Sequence, residues 1–135
     1  MKGIAMTRLL ATLALALLAT SLTAPARADQ LIGSYVAFIG QDDLYNSRGA
    51  RLQEPWQVLR QDRANFHRFG ISQPGDEWDP FFGNIDNRAA MERMVRNGRI
   101  NPAAARAVVN GGAMVQVEIY GRGNTGRSVS VTVYR

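Results

Sequence analysis

Hydrophobic positions along this chain change their period twice, and each regime predicts a different element. Near the C-terminus the period is two. Val115, Val117 and Ile119 alternate with Gln116, Glu118 and Tyr120, and beyond a glycine-rich turn Val129, Val131 and Val133 alternate with Ser130, Thr132 and Tyr134. Residues two apart share a strand face, so this pattern predicts an antiparallel hairpin with one apolar and one polar face. Leu31 to Ile39 is rich in β-branched and aromatic residues, ends at Gly40, and predicts another strand.

Between the strands the apolar spacing becomes helical. Glu54-Pro55 opens a helix, with proline at its first position, that runs to about Phe69 and closes at Gly70. Trp56, Leu59, Phe66 and Phe69 fall on one side of it, with Val58 at the margin. Asp86-Asn87 starts a second helix, Arg88 to Asn97, closed by Gly98 and striped by Ala90, Met91, Met94 and Val95. Asn101-Pro102 pairs an N-cap with a first-turn proline and predicts a third helix to Val109 or Asn110, stopped by Gly111-Gly112. Ile71 to Pro80, with proline, glycine and three acids, reads as a surface loop anchored by Trp78. A lone hairpin is marginal in water, so its Val/Ile face needs a cover that the helical stripes can supply. The expected fold is α+β in the order β-α-α-α-β-β: a three-stranded antiparallel sheet with helices on one face and a C-terminal β-hairpin.

The N-terminal segment follows neither period. Lys2 and Arg8 precede a Leu/Ala run from Leu9 to Leu18, and Ala26-Arg27-Ala28 forms a small-x-small site. Residues 1–28 thus read as a secretory signal peptide cleaved after Ala28, leaving 29–135 as a single domain. The apolar run is shorter than a bilayer span requires, and nothing after Ala28 is longer. Cleavage changes the charge. The whole chain has 16 Lys and Arg against 11 Asp and Glu, a net of +5. Lys2, Arg8 and Arg27 leave with the signal, so the mature domain carries about +2, and nucleic acid is not an expected partner. There is no cysteine, so disulfides, thiol chemistry and Cys-ligated metals are excluded, and the exported domain must stand on its core alone.

Four groups of residues could carry chemistry. Gly121-Arg122-Gly123-Asn124-Thr125-Gly126 spells a dinucleotide-binding fingerprint, but a strand rather than a helix follows it, so the glycines belong to the hairpin turn. His67, the sole histidine, lies four residues after Arg63 and five after Asp62. Histidine, arginine and a carboxylate are the residue types of metal-independent phosphodiester cleavage, with His67 as acid–base and Arg63 as phosphate ligand. Asp76, Glu77 and Asp79 could contribute to a cation site, although no complete ligand set or EF-hand pattern accompanies them, and neither a metal nor another cofactor is expected. Arg93, Arg96 and Arg99 make residues 89–110 basic and could form a binding patch, although Glu92 four residues before Arg96 also suits an ordinary solvated helix face.

The run from Arg60 to Gly70, followed by Pro74-Gly75-Asp76 and Asp79-Pro80-Phe81-Phe82, resembles small exported Gram-negative bacterial proteins of unknown function. That resemblance implies a signal peptide and one small domain, and it assigns no activity. The expected function is that of a periplasmic or secreted binding module. Its partner would be an envelope protein or a second copy joined through an open sheet edge. The rival expectation is a ribonuclease-like hydrolase using His67.

Overall fold

The computed structural model describes residues 28–134, so the proposed signal segment lies outside the described residues apart from Ala28. Three strands form one antiparallel sheet in the order β1-β2-β3: β1 Gln30–Ile39, β2 Ala113–Arg122 and β3 Thr125–Tyr134. Tyr35 faces Val117 across the first ladder, and Val117 faces Val131 across the second. The alternation puts Tyr35, Ala37, Ile39, Val115, Val117, Ile119, Val129 and Val131 on one buried face. Four helices and a short 3₁₀ turn (Gln41–Leu44) fill the interval between β1 and β2. Their apolar residues Val58, Leu59, Met91, Met94 and Val108, with Phe82 from the turn before α2, pack in one core with that face. The order β-α-α-α-β-β is realised with two local departures.

The first departure concerns the helix opened by Pro55. Its α-helical part, α1, spans Pro55–Ala64 and continues as a π-helical turn, Asn65–Phe69. Gly70 ends the turn in the left-handed region at φ 66°, and its N–H bonds back to the Asn65 carbonyl. The buried side of α1 is Val58, Leu59, Asp62 and Arg63, not the stripe Trp56, Leu59, Phe66 and Phe69. Trp56 and Phe66 are half-buried and Phe69 is exposed. Two charged residues occupy the core-facing side instead of aromatic ones, with Arg63 bonded there to both Asp62 and Asp79.

The second departure is a break in the expected Arg88–Asn97 helix. It begins earlier, as α2 Ile85–Ala89, where the Asn84 side chain accepts from the N–H groups of Asp86 and Asn87. It resumes as α3 Met91–Arg96. The predicted stripe is kept, since Met91, Met94 and Val95 are buried and Ala90 packs beside them. The last helix, α4 Pro102–Asn110, starts as expected, with the Asn101 side chain accepting from Ala104 N–H at 2.7 Å. At the hairpin, Gly123 supplies a positive φ of 56° in the two-residue turn, whereas Gly121 and Gly126 lie in β2 and β3, paired with each other at a register shift rather than in the turn.

Both sheet edges are partly occupied. Along β1, Glu77 Oε1 accepts from Val36 N–H, Asp76 Oδ1 accepts from Phe38 N–H, and Glu77 N–H donates to the Val36 carbonyl, each at 2.8 Å. Along β3, Arg99 N–H donates to the Val129 carbonyl and the Arg99 carbonyl accepts from Val131 N–H. Among the described residues, no helix is long and apolar enough to cross a membrane.

Candidate functional site

The residues of the hydrolase expectation lie along α1 and its π-helical turn, where Arg63 bonds Asp62 and meets His67 through Asp79. Arg63, adjacent to Asp62 in sequence, turns its guanidinium inward with no solvent exposure at all. Nε donates to Asp62 Oδ2 at 2.8 Å, and Nη1 donates to Asp79 Oδ1 at 3.0 Å and to the Glu77 carbonyl at 2.9 Å. The plane of charge lies between two rings, with the guanidinium carbon 3.9 Å from the Tyr35 centroid and 4.7 Å from that of Phe66. Arginine suits this place because its charge is planar, permanent and weakly hydrated.

Asp79 closes the network. Its Oδ1 lies 2.6 Å from His67 Nε2, and its Oδ2 accepts from the backbone N–H groups of Phe81 and Phe82. Burial opposes the charge on Asp79. The bonds from Phe82, His67, Arg63 and Phe81 outweigh it and hold the carboxyl below its ordinary pKa. Asp62 has the opposite balance: burial pushes it up to about 7, with Arg63 pulling the other way. Two carboxylates flanking one arginine are thus driven apart, one firmly ionised and one poised to take a proton.

This arrangement is a structural knot rather than an open active site. Arg63 is held indoors through Nε and Nη1, its buried Nη2 finds no hydrogen-bond partner among the described residues, and it presents nothing to a phosphate at the surface. The His67 side chain is 8% exposed, its ring meets Phe66 edge-on, and it borders none of the surface hollows described below. His67 and Asp79 do form a paired imidazole and carboxylate.

The acidic loop also differs from a solvated one. Asp76 and Glu77 bind the β1 edge and Asp79 is buried, whereas Trp78 is 67% exposed. The carboxylates anchor this segment and the tryptophan does not. The three acids do not converge, and no cluster able to hold a metal ion occurs among the described residues.

The predicted basic patch is dispersed. Arg96 is tied to Glu92 at 2.7 Å in an exposed i,i+4 pair, Arg93 reaches the Gly126 carbonyl at 3.4 Å, and Arg99 joins β3 through its backbone. The last two border different shallow hollows near the hairpin.

A different arginine cluster escaped sequence reasoning. On the outer side of α1 and its π-helical turn, Trp56, Arg60 and Arg68 border a cleft of about 300 Å³, with Phe69 beside them and Ile85 and Arg88 contributed by α2. Arg88 is 6% exposed, and its Nη1 donates to the carbonyls of Phe82 and Gly83. Burial, followed by the like charges of Arg68 and Arg60, lowers its pKa. The legible signal was the four-residue spacing Trp56, Arg60, Ala64, Arg68, which aligns these side chains along one helix face.

Comparison with models of protein families, with curated proteins and with solved structures finds no match to this chain.

Proposed function

We propose that the protein is an exported binding module, cleaved after Ala28 and working in the periplasm or outside the cell without a cofactor. The observation that carries this reading is the burial of the Asp62–Arg63–Asp79 network. The residues best suited to chemistry are spent on holding the α1, 73–79 and β1 segments together. The resemblance to small exported proteins and the N-terminal export pattern support the compartment. The partner would be an envelope protein or a second copy. Association through β3 would use the Val133 end, since Arg99 already bonds to Val129 and Val131.

The paired His67 and Asp79 favour one rival, a metal-independent hydrolase. The two readings separate in a paired test on wild type and His67→Ala. In the first arm both are incubated with RNA in EDTA, and intact RNA is expected from each. In the second, immobilised wild-type protein is exposed to envelope extract. A component that is retained and then released by excess free protein is expected. RNA cleavage that disappears with His67→Ala would overturn the binding reading, as would an empty column.

A further inference from the structure

The arginine cleft on the outer side of α1 is built against the electrostatic interest of the folded chain. Three guanidinium groups border it, and no carboxylate among the described residues forms an ion pair with Arg60, Arg68 or Arg88. Acids are not scarce in this protein, because 11 are present. Asp42 lies in an adjoining hollow with Tyr45 and Asn65. Like charges set along one helix face destabilise it, and Arg88 carries its charge into a largely buried position. The carbonyls of Phe82 and Gly83 hold one of its nitrogens and thereby fix the direction of the group. Arg60 and Arg68 are exposed beside it, Arg68 lying 4.9 Å over the Phe69 ring, and a fixed guanidinium flanked by two exposed ones suits an anion with several acceptor oxygens.

The rest of the wall is not charged. Trp56 and Phe69 offer ring surface and Ile85 an aliphatic one, and Trp56 also packs against the core, which limits its movement. At about 300 Å³ the cleft is at the lower end of the range for small-molecule sites. It can take an anionic head and a single ring, but no large ligand. Asp79 acts on Arg88 from a distance, but none of the three arginines has a carboxylate in direct contact among the described residues, which favours a dianion over a monoanion.

We propose that the Trp56–Arg60–Arg68–Arg88 cleft is a binding site for a small phosphomonoester whose organic part is planar or apolar. The phosphate sits among the three guanidinium groups and the organic part lies on Trp56. This deepens the binding reading above by naming a ligand class for one face of the module. It leaves the network around Arg63 intact and requires no movement of it.

Phenyl phosphate is a suitable probe, and Trp56 can report its arrival. The second tryptophan, Trp78, is largely exposed, so Trp78→Phe gives a background in which fluorescence comes from Trp56 alone. Titration is expected to saturate, with affinity falling as salt rises. Phenyl sulfate, of the same shape but singly charged, is expected to bind at least tenfold more weakly. Arg60→Gln and Arg68→Gln alter exposed side chains and are each expected to weaken binding roughly ten- to hundredfold, the worth of a lost charged hydrogen bond. Arg96→Gln, on an exposed ion pair elsewhere, should leave it unchanged. Circular dichroism on each variant checks that the fold is kept. No saturation with millimolar phenyl phosphate would overturn the proposal, as would equal binding of phenyl sulfate or indifference to Arg60→Gln and Arg68→Gln. Those failures would leave retention of an envelope component untouched, whereas His67-dependent RNA cleavage would sink the binding reading and leave this titration unaffected.

Discussion

Replacing Asp79 by asparagine keeps the size of the side chain and removes one charge, so it isolates what that carboxylate does. Four groups converge on it: Arg63 Nη1 and His67 Nε2 on one oxygen, and the N–H groups of Phe81 and Phe82 on the other. An amide can satisfy only one of these pairs. If its NH₂ faces the backbone, two N–H donors meet a third donor. If it faces the other way, Arg63 loses a partner inside the protein. Removing one member of a buried ion pair typically costs about 3–5 kcal/mol, because the remaining charge stays buried. Asp62 still holds Arg63 Nε, which limits the loss to that range. A domain of this size has about 5–15 kcal/mol of stability in total. The expected outcome is therefore a variant that has lost roughly a fifth or more of its stability, with its melting temperature lowered by roughly 12 °C or more. Urea unfolding of wild type and Asp79→Asn, followed by circular dichroism, measures the difference. The surface pair offers a scale, since Glu92→Gln should change stability by less than about 0.5 kcal/mol. A loss below about 1 kcal/mol for Asp79→Asn, at an unchanged denaturant slope, would refute the view that this network holds the fold.

Two further outcomes follow from the same geometry. Burial raises the pKa of Asp62 to about 7, so above the unfolded-state value the folded chain retains a proton that the unfolded chain has released. Stability should then fall as pH rises from 5 towards 7.5, by at most about 1.4 kcal/mol per pH unit for this one group. The depressed Asp79 acts in the opposite sense, losing stability only as pH falls below the unfolded carboxyl value. Thermal melts of wild type and Asp62→Asn across this range check the point: the variant should show a flatter slope, and a wild-type stability that climbs steadily to pH 7.5 would contradict it. At the hairpin, a Cβ on Gly126 would collide with the Phe81 ring and lie 2.6 Å from Met94 Cε. Gly126→Ala should therefore destabilise by about 1–3 kcal/mol through overpacking, and a neutral result in urea unfolding would show that the ring can step aside.

The elements that could be read from the sequence are those whose physics is local. The alternation in Val115–Ile119 and Val129–Val133 depends only on neighbours two residues away, and both strands form where expected. Asn101-Pro102 starts α4 because capping is decided within one turn. The reading of α1 failed on its buried side, where Asp62 and Arg63 resemble solvated residues until their partners are known. Those partners are Asp79, 16 residues beyond Arg63, and Tyr35 on β1, and no periodicity within a helix reports them. Asp79 misled in the same way, as one acid in a polar, glycine-containing stretch. Arg63 bonds Asp62 directly, but it meets His67 through Asp79 and not through Asp62. Their burial, which favours structure over chemistry, depends on packing that the spacing alone does not contain. Arg60 and Arg68 were visible as helix neighbours, but Arg88 reaches them only because α2 folds back beside α1.

The order of the strands also sets a schedule. β2 and β3 are joined by a two-residue turn and can pair as soon as both exist, whereas the Tyr35 row of β1 must wait for Val117, which lies across nearly the whole helical interval. With roughly 75 residues between the end of β1 and the start of β2, ribosomal synthesis at about 5–20 residues per second separates the two by roughly 4–15 s. During that interval β1 has no sheet to join, and the charged side of α1 has no Tyr35 ring fixed beneath it. The core cannot close before β2 and β3 have been made. A topology that holds folding back until β2 and β3 emerge keeps the polypeptide threadable until then, which is what the export proposed above would require.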